Sequence, residues 1–401
     1  MKPSFLFTTG VLFASTSSPL VSAANTPVVI VPGTGGNRLQ AKLSKAKSSP
    51  HFYCSKNNDW EDIWLSVSQL LPGVIDCWCE NIQLVYDSAA DELHNIDGVE
   101  TRVPCFGDTC GIEYLDTDIK LSDSAYFADV VEAFVKEGYV RGVDIVSAPT
   151  DWRYAANSNH DDYLNKTISL IEDTYTKNED TPVVLIGHSM GSLWTSHILR
   201  ELVNDEWKSK YIQTYVPISP VFGGSVNEYK LYATGQADTL PGISSATVKD
   251  EQRSYESNIW LLPSAELWTD GEATVKTPSK SYGPHNIDEF FTDVGYPLGS
   301  TILNRVKPIL SLADPKVADI RILYGTGVDT DEFYEYTKDG SWDEDDLKIT
   351  KGNGDGTVNI RSLESGNEWE NVQTKVFDKQ THSGILKDQS LIDYLVALTK
   401  H

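Results

Sequence analysis

Apolar residues in this chain gather into short solid runs separated by stretches of helical spacing. Val28–Val31 inside PVVIVP, GVDIVSAP at 142–149, Val183–Ile186 and YIQTYVPIS at 211–219 are apolar runs of strand length bounded by proline or polar residues. Such runs suit strands covered on both faces. Between them, residues 126–138 (YFADVVEAFVKEG) and Tyr163–Tyr175 repeat apolar positions at helical spacing, with Gly138 placed as a C-cap. The alternation predicts an α/β fold with a mainly parallel central sheet and helices on both faces. It breaks over 222–300, which reads as a cap or lid insertion. It returns with IRILYG at 320–325, TKVFD at 374–378 and a terminal helix from Ser390. A second insertion, residues 50–95, carries Trp60, Trp64 and Trp78 around IWLSVSQLLPGVIDCW.

The first 23 residues stand apart. One Lys, a short apolar stretch from Phe5 to Phe13 and Val21-Ser22-Ala23 form a secretory signal-peptide pattern, too short in its apolar part to span a bilayer. The folded domain is therefore expected over 24–401. A sequon at Asn165-Lys166-Thr167 fits secretory passage and marks Asn165 for glycosylation. The formal net charge of −25 argues against nucleic acid as a partner. Five cysteines, Cys54, Cys77, Cys79, Cys105 and Cys110, leave at least one unpaired. Cys77-x-Cys79 is too tightly spaced for a zinc pair, and no metal site is expected.

The chemistry centres on GHSMG at 187–191, between an apolar strand and the helix-compatible SLWTSHILREL. Strand, sharp turn and helix form a nucleophile elbow with Ser189 at its apex, and the flanking glycines answer the crowding there. A serine hydroxyl needs a base and the base needs an orienting carboxylate. In the α/β-hydrolase order of Ser, acid, His, only His197, His285, His382 and His401 follow the serine. His382, between a strand and the terminal helix, has the expected place. For the acid, spacing leaves two choices. Asp329 follows IRILYG, and Asp355 sits in the glycine-rich GNGDGTV. A calcium-loop reading of GNGDG fails because Lys351 takes its first ligand position. The backbone amides of Met190 and Thr34 are the expected oxyanion donors. This acyl-transfer chemistry calls for no cofactor.

Together these segments resemble the lecithin:cholesterol acyltransferase family, most closely its lysosomal phospholipase A (group XV) branch. VVIVPGTGGNRLQAKL, IWLSVSQLLPGVIDCW, NIQLVYD, APTDWR, VVLIGHSMG, SNIWLLP, LYGTGV and GDGTVNIRSL occur in the same order, with His382 beyond. The resemblance implies an α/β-hydrolase with a membrane-binding subdomain and a mobile lid. Its members move a fatty acyl chain from a glycerophospholipid onto serine, then to water or a lipid alcohol. It moves the acid to Asp355 and implies a Cys54–Cys77 disulfide; Cys105–Cys110 is the expected second pair. Trp64, Leu65, Leu70 and Leu71 become the expected membrane-touching residues. A phospholipid membrane or lipoprotein surface is the implied partner. The implied location is the secretory pathway, ending in a lysosome, an acidic vacuole or outside the cell. A monomer is the working expectation, and the sequence leaves the oligomeric state open. Alternatives are transfer to sterol or diacylglycerol, or a soluble carboxylesterase of the same fold. Two departures stand out: Thr34 where the animal enzymes carry Asp, and Phe222 where the family has Trp.

Overall fold

The computed structural model describes residues 25–117, 124–157, 161–236 and 243–400. The signal-peptide segment 1–23 lies outside the described residues, as does His401.

Solid apolar runs become a six-stranded sheet. Its strands are β1 (Val28–Val31), β2 (Ile145–Ser147), β3 (Val183–His188), β4 (Ile212–Ile218), β5 (Ile320–Thr326) and β6 (Val372–Asp378). They lie in the order β6-β5-β4-β3-β1-β2, and every neighbouring pair is parallel. Successive residues of a strand face opposite sides. Val28 and Ile30 pack in one core cluster with Val184, Ile186 and Phe134, while Val29 and Val31 pack in another with Leu185, Leu193 and Trp194. Both faces of β1 are therefore buried, which is why its sequence does not alternate.

Helices close the two faces. α1 (Ala128–Lys136) and the terminal α4 (Gln389–Leu398) cover the first side through Val130, Val131, Phe134, Leu391 and Leu395. α2 (Asp161–Lys177) and α3 (Met190–His197) cover the other through Leu164, Ile171, Leu193 and Trp194. Past the end of α1, Gly138 takes φ +99°; its N–H donates to the Val135 carbonyl and that of Tyr139 to the Phe134 carbonyl, which satisfies these two carbonyls of the last turn. Asp388 caps α4 by accepting from the N–H groups of Ser390 and Leu391.

The region from 222 to 300 supplies short helices, among them Asn227–Thr234, Ser245–Arg253 and Glu256–Trp260. Residues 50–95 hold a strand over Asn57–Trp64, a helix over Ile75–Ile82 and a hairpin of Leu84–Asp87 with Glu92–Asn95. The sequence pattern did not anticipate an antiparallel hairpin, Val328–Tyr336 paired with Leu347–Gly354, between β5 and β6. Cys54 is bonded to Cys77 and Cys105 to Cys110, and Cys79 is unpaired. Among the described residues, no helix is long and apolar enough to cross a membrane.

Candidate active site

At the end of β3 the chain turns through Ser189 with φ +55° and ψ −127°, a strained conformation for a residue with a side chain. Packing enforces the turn. A Cβ on Gly191 would lie 2.1 Å from the Val31 carbonyl oxygen, and one on Gly187 would lie 2.8 Å from that of Gly191. Strand and helix thus approach too closely for any other residue. Ser189 N–H donates to the Ile218 carbonyl at 3.0 Å, which pins the apex to β4.

Three side chains from remote segments meet there. Ser189 Oγ is 2.8 Å from His382 Nε2, and His382 Nδ1 is 2.7 Å from Asp355 Oδ2. A carboxylate only accepts, so Nδ1 carries the hydrogen and Nε2 is free to accept from the serine. Asp355 is fully buried, and its other oxygen accepts from the N–H groups of Thr357 at 3.0 Å and Val358 at 2.8 Å. Burial pushes this carboxyl upward, but His382 and the two backbone donors outweigh it and hold it below the ordinary 3.8. Asp355 therefore stays ionised beside the imidazole. Such a chain lets the imidazole take the serine proton while the carboxylate stabilises the resulting cation. Asp329, the other acid that spacing allowed, is exposed on the hairpin opposite Asn353.

The loop after β1 reaches the same place. A Cβ on Gly33 would sit 2.6 Å from Ser189 Cβ, so only glycine lets the loop approach this closely. Thr34 Oγ1 donates to Met190 Sδ at 3.3 Å, which brings the two expected oxyanion positions side by side. Met190 begins α3, so its N–H has no carbonyl one turn back within the helix.

Four residues expected at a membrane surface divide. Leu70 is only 7% exposed and packs in the core with Ile63 and Trp78, so it is not a surface residue. Its short 3-10 helix, Val67–Leu70, turns that side chain inward. Trp64 is half-buried: its indole N–H donates to the Gly35 carbonyl at 2.7 Å and its ring abuts Trp78 and Trp152. Leu65 is also half-buried, whereas Leu71 is 53% exposed. Exposed apolar side chains in this insertion include Phe52, Tyr53, Val67, Leu71 and Val74. Asn165 is exposed on α2.

Several residues at the site escaped the sequence reading. Tyr126 and His188 form a buried polar pair beneath the loop. Asn359, fully buried, accepts from Val226 N–H and donates to the Asp331 carbonyl, joining the start of the 222–300 region to the segment after Asp355. Arg153 bonds Asp151, the Ile82 carbonyl, Asn95 and Thr101, fixing the 50–95 insertion to the hydrolase body. The Asp151–Arg153 brace is the part of this network that APTDWR suggests in the sequence; the bonds to Ile82, Asn95 and Thr101 are what the sequence did not show.

A parallel sheet, a nucleophile elbow and a Ser-His-Asp chain define the α/β-hydrolase class. The crystal structure of the Tle4-Tli4 complex superposes with a TM-score of 0.52 at 13% identity, over 95% of this chain and 100% of that chain. That likeness concerns the fold alone. The sequence profile of lecithin:cholesterol acyltransferase matches residues 60–311. A lysosomal phospholipase A and acyltransferase of Bos taurus is 36% identical over 98% of this chain and 96% of its own length. A phosphatidylcholine-sterol acyltransferase of Gallus gallus is 34% identical over 94% and 90%. The chain belongs to the lecithin:cholesterol acyltransferase family.

Proposed function

We propose that the chain is a serine phospholipase A and lipid acyltransferase. It takes a fatty acyl chain from a glycerophospholipid onto Ser189 and passes it to water or a lipid alcohol. The observation that carries this reading is the unbroken hydrogen-bonded chain from Ser189 through His382 to Asp355. His382 removes the serine proton as Oγ attacks the ester carbonyl, while Asp355 holds the tautomer and balances the imidazolium. The amides of Met190 and Thr34 receive the developing oxyanion. His382 then protonates the leaving lysophospholipid and activates the acceptor oxygen that releases the acyl group.

Lipid as the substrate class follows from family membership and from the names of the relatives above. Residues 50–95 serve as the membrane-facing insertion, with Leu71, Val67 and Val74 as its contact points and Leu65 at its margin. Residues 222–300 serve as the cap over the acyl chain. Two disulfides suit an oxidising secretory route, and a lysosome-like or extracellular destination agrees with the relatives. Glycosylation at Asn165 belongs to the same reading.

Product mass spectrometry tests it, using phosphatidylcholine vesicles with and without sterol or ceramide. Release of fatty acid or acylated alcohol, lost in Ser189→Ala, supports the proposal. Turnover confined to p-nitrophenyl butyrate supports a soluble carboxylesterase instead.

A further inference from the structure

One buried polar chain runs beneath the nucleophile, and the mechanism above does not use it. Gly33 N–H donates to Tyr126 Oη at 3.2 Å, Tyr126 Oη is hydrogen-bonded to His188 Nδ1, and His188 Nε2 meets the His382 carbonyl at 2.9 Å. Tyr126 and His188 are both buried.

The protons in this chain are fixed by elimination. A carbonyl can only accept, so His188 Nε2 carries hydrogen. In a neutral ring Nδ1 must then accept, so Tyr126 donates to it and takes the Gly33 N–H on a lone pair. All donors and acceptors along the line are matched, and only for a neutral imidazole. Burial, followed by the neighbouring His382, pushes His188 down to about 3. The Tyr126 ring also fills the space over Gly36, where an added Cβ would lie 2.6 Å from Cε1. His188 directly precedes Ser189 in the chain, so this one pair reaches the nucleophile, the backbone of the base and both ends of the 33–36 loop.

We infer that Tyr126 and His188 are positioning residues for acyl transfer, holding the oxyanion loop and the His382 backbone in register with Ser189. The inference rests on the serine-hydrolase reading above. Misplacing reacting groups by 1 Å costs on the order of 100-fold in rate, so a pair that sets three of them at once has large leverage.

Tyr126→Phe keeps the ring over Gly36 and removes only the hydroxyl. The expected result with p-nitrophenyl butyrate is a kcat lower by about tenfold or more with KM within roughly twofold, the signature of a loss felt in the transition state. His188→Gln carries an acceptor and a donor about as far apart as the ring nitrogens, and is expected to recover most of the kcat that His188→Leu loses. Nitrogen-15 spectra of the unsubstituted protein are expected to place the His188 hydrogen on Nε2 from about pH 5 to 8. An unchanged kcat in Tyr126→Phe, or a Gln variant no better than Leu, overturns the inference. So does a hydrogen on Nδ1, a measurement that needs no variant to fold. Retained turnover in Ser189→Ala would instead overturn the serine-hydrolase reading itself.

Discussion

Trp64 donates its indole hydrogen to the Gly35 carbonyl at 2.7 Å, tying the 50–95 insertion to the loop beside Ser189. Trp64, one of the four residues expected at a membrane surface, thus also braces the loop beside Ser189. Trp64→Phe retains most of the packing and loses one hydrogen bond, worth about 1 kcal/mol. The expected outcome is a several-fold lower kcat on a soluble ester with unchanged partition onto phosphatidylcholine vesicles. Kinetics and vesicle sedimentation on the same preparation check it.

Leu71 is expected to behave in the opposite way. Leu71→Ser with Val74→Ser removes exposed apolar surface at no cost to the core. Each such side chain is worth roughly 1.5–3 kcal/mol when buried in an apolar phase, so vesicle affinity should fall by about tenfold or more. Turnover of p-nitrophenyl butyrate should hold. Leu70→Ser, by contrast, should lower the melting temperature, because Leu70 lies in the core.

Asp355 and Asp329 separate cleanly. Asp355→Asn leaves the His382 ring held by a neutral amide that can accept or donate, and triads changed in this way lose about 10⁴-fold in kcat. Asp329→Asn, exposed on the hairpin, should leave kcat unchanged. Pre-steady-state kinetics on the two variants distinguish them.

Stability should depend on pH through two buried carboxyls of the 222–300 region, Glu228 and Glu251. Burial raises Glu228 and Glu251 from 4.5 to about 8, with Tyr255 and Arg153 opposing it at Glu251. A raised acid binds its proton more tightly in the folded state, so stability is full below 4.5 and declines as pH rises toward 8. Asp355 and His188 have the opposite sign. Asp355's contribution is present above 3.8 and is lost as pH falls through its lower folded value. His188's, full above 6.5, declines as pH falls toward 3, but over pH 5 to 8 the two raised carboxyls outweigh the one imidazole. Melting temperature should therefore be higher near pH 5 than near pH 8, and Glu228→Gln should flatten the decline. A melting series across pH, with and without Glu228→Gln, tests this.

Much of the fold was legible because its strands are covered on both faces: Val28–Val31 and Val183–Ile186 read as solid apolar blocks. Ser189 was legible because local crowding demands Gly187 and Gly191 within the same five residues. The hairpin of Val328–Tyr336 with Leu347–Gly354 was not, because much of its second strand is exposed and polar and gives no apolar period. Leu70 misled because a 3-10 turn, invisible in composition, points it inward. Tyr126, His188 and Asn359 owe their places to partners remote in sequence, and no local pattern announces such bonds.

The most direct test of the account is where a fluorophosphonate attaches. Intact-protein and peptide mass spectrometry should find one adduct, on the peptide containing Ser189, formed slowly in His382→Ala and absent in Ser189→Ala. Labelling of another residue, or undiminished labelling of the Ser189→Ala protein, would contradict it.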